Sequence, residues 1–88
     1  MNIDKILDIA MEKNASDVHL IVGNKPMLRI IRELIPIEEM NVLTADDMNE
    51  MYDYFVQGNL DRDEEFNTQR RLDMSYIYKD IRLRVNIS

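Results

Sequence analysis

Two arginines two positions apart, Arg82 and Arg84 in IRLRVN, are the side chains best suited to chemistry in this 88-residue chain. On a β-strand, residues two apart project from the same face about 7 Å from one another. The pair therefore offers two planar, permanently charged forks to a phosphate or to a partner's carboxylates. The structural alternative is that both solvate a sheet face and balance Asp73. The only histidine, His19, stands two positions after Asp17 in SDVHLIV. Two ligands from one strand make half a metal site, so a hydrogen-bonded structural histidine is the simpler reading and no metal site is assigned. The run DRDEE at residues 61–65 could attract a cation, but it lacks the D-x-[DN]-x-[DN]-G order of a calcium loop and reads as a solvated helix face. With no cysteine and two isolated glycines, there is neither a thiol nucleophile nor a glycine-rich phosphate loop, and the isolated chain is not expected to be an enzyme.

Composition narrows the classes further. A net charge of −6 opposes a nucleic-acid or anionic-membrane surface, because both need a positive field. The length suits one small domain. No apolar run approaches the roughly 20 residues of a membrane span, and the acids within MNIDKILDIAMEK are unlike a signal peptide. The expectation is a chain that is soluble, not exported and consistent with the cytoplasm.

The elements that must carry these side chains follow from periodicity. Ile3, Ile6, Leu7 and Ala10 repeat at helical spacing, from a start near Asn2 or Asp4 to a left-handed close at Asn14. SDVHLIV alternates as a strand, GNKP supplies the turn, and Met27 to Ile31 forms the returning strand. Glu33 to Ile37 reads as a third strand, with Pro36 marking an edge or an end. Thr44 caps a second helix with Met48, Met51, Tyr52 and Phe55 on its buried stripe, stopped by Gly58. A third helix is predicted over 60–69, with Leu60 and Phe66 as its main apolar contacts. Residues 72–78 and 81–87 alternate as a hairpin around Lys79-Asp80, pairing Tyr76 with Leu83 and Met74 with Val85 on the apolar face. On the polar face Ser75 meets Arg84, Ile77 meets Arg82, and Asp73 lies diagonal to Arg84.

Taken in order, ASDVHL, VGNKPMLRI, LTADD, LDMSY and IRLRVN resemble, over about residues 3–88, the N-terminal domain of type IV pilus retraction ATPases. These are the twitching-motility motors of the secretion ATPase superfamily. The resemblance implies an α+β, PAS-like domain: an antiparallel sheet of about five strands with two to three helices, occupying residues 1–88 as a single unit. In the family a linker joins this domain to a RecA-like core that forms a hexamer and holds the Walker motifs. The present sequence reaches Ser88 without them. The expectation is thus an excised or truncated domain, and ATP hydrolysis is not carried over.

By that resemblance Arg82 and Arg84 approach the nucleotide bound by the core, while Asp17 and His19 are architectural. ATP and Mg belong to the full-length motor only. The implied partners are the RecA-like cores of the same and neighbouring subunits and, indirectly, the pilus inner-membrane platform protein, with no nucleic acid. The implied location is cytoplasmic, at the inner face of the cell membrane. The sequence departs from the family at Ile31-Arg32, where relatives commonly have Asp-Gly, at Arg70 or Arg71 in place of a glycine, and at Lys79-Asp80, which lacks one. For a chain ending after RVN, residues 81–87 are expected to form an exposed edge through which the domain dimerises by strand addition. The competing expectation is a free-standing PAS-like module that binds a small ligand or an acidic partner through Arg29, Arg82 and Arg84.

Overall fold

Asn2 opens the first helix by accepting a hydrogen bond from the Lys5 N–H at 3.0 Å. In the computed structural model, which describes residues 1–88, α1 runs Ile3–Glu12 and buries Ile3, Ile6, Leu7 and Ala10 on one stripe. Asn14 then leaves the helix in the left-handed region at φ 56, a conformation asparagine tolerates. β1 (Asp17–Leu20), β2 (Met27–Ile30) and β3 (Glu33–Pro36) follow as a meander. Thr44 starts α2 (Ala45–Phe55) with a capping box: its hydroxyl accepts from the Asp47 N–H, and Asp47 accepts from the Thr44 N–H at 2.7 Å. The terminal ammonium of Met1 adds charge here, 3.6 Å from Asp47 and 3.3 Å from Glu50. Asn59 caps α3 (Leu60–Gln69), and β4 (Leu72–Tyr78) and β5 (Ile81–Ile87) close the chain. No helix is long and apolar enough to cross a membrane.

The five strands form one sheet in the order β3-β2-β1-β5-β4. Val18, Leu20, Leu28, Leu72, Met74, Leu83, Val85 and Ile87 point to one face and merge with the apolar stripes of the helices into a single core. The β4–β5 register is the one the alternation predicts: Ser75 opposite Arg84, Tyr76 opposite Leu83, Ile77 opposite Arg82. The fold is α+β with three helices and five strands, but the sheet is mixed where an antiparallel one was expected. β1 and β5 run parallel, Asp17 opposite Arg84 and Leu20 opposite Ile87. Alternation fixes which face a side chain takes and which neighbours a tight turn can pair; it does not fix the direction of a partner separated by two helices.

That parallel pairing also overturns the expected edge. Arg84–Ile87 lie between β1 and β4 and are paired on both sides, while Ile81–Leu83 extend past β1 and are paired to β4 alone; the outer strands of the sheet are β3 and β4. The strand is interior because Leu83, Val85 and Ile87 are its deeply buried side chains, and a strand of that apolarity is most stable where both backbone edges are paired. Leu60 is a second correction. It stands 85% exposed at the start of α3 and contributes no core contact, whereas Phe66 is buried.

Both two-residue hairpin turns use residues poorly matched to their backbone. Ile31 and Arg32 have φ 46 and 71, and Lys79 and Asp80 have φ 46 and 67. Positive φ at both central positions defines the type I′ turn, for which Asn-Gly is strongly preferred and a β-branched residue is costly. Lys79 is compensated by the bond of its ammonium to Asp8 at 2.9 Å. Ile31 has no such offset, being 90% exposed. Replacing Ile31-Arg32 by Asn-Gly is therefore expected to stabilise the domain by about 1–2 kcal/mol, read as a higher urea midpoint at unchanged slope. An unchanged midpoint would show that the turn is not strained.

The bond at Lys79 belongs to a network that ties the last turn to α1. Asp8 accepts from the Tyr78 hydroxyl at 2.7 Å as well as from Lys79. The Lys79 hydrogen bond, and then that of Tyr78, hold the Asp8 carboxyl below the usual carboxylate range. Asp47 is lowered in the same direction, chiefly by the Thr44 N–H. Carboxylates depressed in the folded state favour folding above their unfolded pKa of about 4, and that contribution disappears as pH falls through the lower folded values. Stability is thus expected to fall as pH drops from about 4 toward 2, and Asp8→Asn should flatten that fall. Identical pH profiles for Asp8→Asn and the parent chain would contradict the role of the network.

Candidate functional site

All the buried strand residues lie on one face of the sheet, and the other face carries no helix. Its composition follows from the register. Across β3, β2, β1, β5 and β4, one row reads Leu34, Arg29, Asp17, Arg84 and Ser75; the next reads Pro36, Met27, His19, Asn86 and Asp73. Arg82 and Ile77 lie beyond Arg84 and Ser75. This uncovered face holds Arg82 and Arg84 together, both exposed on the same side of an interior strand. β5 is paired to β4 along its length and to β1 from Arg84 onward, so both side chains leave a hydrogen-bonded strand.

The two differ in their partners. The Arg84 guanidinium donates to Asp73 at 2.6 Å, the diagonal pairing that the sequence predicts. That bond, with the charge of Asp73 and then of Asp17, raises the pKa of Arg84 above its ordinary value. None of the five ion pairs in the molecule involves Arg82. Arg29, two strands away from Arg84, donates to the Arg32 carbonyl at 3.3 Å. Asp17 stands between Arg29 and Arg84 in the row and accepts from the Ser16 hydroxyl at 2.7 Å. Three guanidiniums and two carboxylates share the face, which suits an anion that can compete with a carboxylate.

His19 corrects its expectation. It sits on the uncovered face with its Nε2 buried and without a hydrogen-bond partner, where a hydrogen-bonded structural histidine was expected. Its row neighbours on the adjoining strands are Met27, which offers no strong acceptor, and Asn86, whose amide makes no hydrogen bond to it. Beside it opens a pocket of about 680 Å³ at one end of the face, lined among others by Asn86, Asp73, Arg71, Glu65 and Gln69. No group of three or more His, Asp or Glu side chains converges to hold a metal ion.

The DRDEE run is more structural than a solvated face. Arg62 donates to the Phe55 carbonyl at 3.0 Å and lies over the Tyr76 ring at 5.7 Å. Asp63 accepts from the Tyr52 hydroxyl at 2.6 Å, and Glu65 accepts from the Asp73 N–H at 3.1 Å. That last bond covers part of the outer edge of β4, on the same residue whose carboxylate holds Arg84. Sequence reasoning missed Glu65, whose only signal was its place within a charge run. Neither protein-family models nor curated proteins give a match to the chain, so a functional reading rests on this face and on its motifs.

Proposed function

We propose that this chain is the regulatory and assembly domain of a hexameric type IV pilus retraction ATPase. In this reading the domain is PAS-like, packs on RecA-like cores in the ring, and turns its uncovered face toward the nucleotide cleft. It works in the cytoplasm, peripherally at the inner membrane face, and reaches the pilus platform protein only through the assembled machine. The observation that carries the reading is the joint placement of Arg82 and Arg84, exposed on one face of an interior strand, within the IRLRVN segment that bears the resemblance. The arginines suit the terminal phosphates, which they can grip in bidentate fashion. They do not suit Mg, and no set of carboxylates is gathered for it; ATP and Mg are then held by the core and not by this domain.

A photo-crosslinking residue at Ile77, 64% exposed and opposite Arg82, tests this in the assembled motor. Capture of the RecA-like core from Ile77 is the expected result. Capture from the α2 surface at Asp53 alone would overturn it, since the uncovered face would then point away from the cleft. A second reading, a free-standing module for a small ligand or an acidic partner, draws its support from the pocket beside His19. The gene discriminates: a G-x-x-x-x-G-K-[ST] sequence in frame beyond Ser88 favours the motor, and a reading frame without one favours the module.

A further inference from the structure

Arg82 and Arg84 project from the same side of β5 but are in different states. Arg84 is bonded across to Asp73 on β4 at 2.6 Å, whereas Arg82 is in none of the molecule's five ion pairs. Asp73 stands directly opposite Asn86 and reaches Arg84 on the diagonal. Asp17 faces Arg84 from β1 on the other side. Arg84 therefore already has an anion, and any ligand that is to use both forks must displace it.

We propose that Asp73 is a latch on the arginine pair: it holds Arg84 against β4 while the face is empty and yields it to an oligophosphate that Arg82 has engaged first. The inference rests on the proposed orientation of this face toward phosphates. Its chemistry follows from spacing. The two side chains leave the backbone about 7 Å apart, and Arg84 leans to Asp73 on the side away from Arg82, so a single phosphate on Arg82 leaves Arg84 with Asp73, whereas two linked phosphate groups can reach from one fork to the other. The latch is able to open because both partners are well exposed, 61% for Arg84 and 49% for Asp73, and ion pairs in contact with water are weak. A diphosphate or triphosphate brings more charge than a carboxylate and accepts a bidentate bond in its place. Asp73 is thus a positioning residue, which sets when the second arginine becomes available and how strongly the face prefers a chain of phosphates to a single one.

The test uses the 88-residue chain and inorganic pyrophosphate at low salt, with the arginine Nε–H signals followed by NMR. In the parent chain the Arg82 signal is expected to respond to orthophosphate and pyrophosphate, and the Arg84 signal to pyrophosphate alone. Asp73→Asn is expected to tighten pyrophosphate binding by about 3–10-fold and to let Arg84 respond to orthophosphate. Asp17→Asn removes an equal charge next to Arg84 without removing the 2.6 Å bond, so it measures the effect of charge alone. The latch is overturned if Asp73→Asn leaves pyrophosphate affinity unchanged, if Asp17→Asn gives the same gain, or if neither anion shifts either arginine. Asp73→Glu guards against misfolding, since it keeps the carboxylate and is expected to keep the parent affinity. The motor reading fails separately: a clear Asp73→Asn gain, with motor turnover indifferent to both arginines, would leave an oligophosphate latch on a domain that is not part of such a motor.

Discussion

Under the proposed function, Arg82→Ala and Arg84→Ala are each expected to lower ATP turnover of the motor by about 10²–10³-fold, with little change in folding. The expectation follows from where the side chains stand. Both are exposed on the face opposite the core, so truncation opens no cavity. The stability change should be small for both, including Arg84, whose lost bond to Asp73 is in contact with water. An arginine that reaches the transferring phosphoryl group stabilises charge that grows in the transition state, so its loss falls on kcat more than on nucleotide affinity. Lysine at either position keeps the charge but not the planar fork and should recover only part of the rate. Purified motors compared by steady-state turnover and by nucleotide affinity decide the matter. Unchanged values for both alanine variants would remove the arginines from the nucleotide cleft.

The same residues illustrate how far a sequence can be read. Period-two alternation in 72–87 is strong enough to give the full β4–β5 register, because a one-residue slip would turn every apolar side chain to water. The Asp73–Arg84 pair and the shared face of Arg82 and Arg84 come with that register. What alternation cannot carry is the partner of β5 on its other side. Asp17 opposite Arg84 joins segments separated by two helices, and nothing in either segment encodes the direction of the pairing. The state of His19 was hidden for the same reason, since its neighbours on both sides are set by strand order. Glu65 and Asp8 were hidden in a different way. Each is one acid among many in a chain with 17 of them, and only the three-dimensional path shows that one caps the Asp73 N–H while the other receives Tyr78 and Lys79. The turns are the reverse case: Ile31-Arg32 and Lys79-Asp80 argue locally against type I′ geometry, and the strands on either side impose it.

Phe55→Ala is expected to destabilise the domain by about 3–5 kcal/mol. Phe55 is 2% exposed at the end of α2. Its ring lies 4.7 Å from that of Tyr54 and 5.0 Å from that of Tyr76, nearly perpendicular to the latter at 81°. Its carbonyl receives Arg62 of α3, whose guanidinium also covers Tyr76. One side chain thereby joins the end of α2 and the middle of β4, and its carbonyl adds α3. Alanine would leave a cavity that a rigid helix end and a paired strand cannot close. An ordinary domain of this length has roughly 4–13 kcal/mol of stability in total, so the loss should lower the melting temperature by about 12–40 °C. Phe55→Leu retains most of the volume and is expected to cost roughly 1–2 kcal/mol, which keeps the comparison measurable if the alanine variant fails to fold. Leu60→Ala, at a position 85% exposed, should stay within about 0.5 kcal/mol. Urea unfolding of the three variants orders them; a Phe55→Ala loss below about 1 kcal/mol would mean that the aromatic cluster does not join α2 and α3 to the sheet, and that the uncovered face is held rigid by the strands alone.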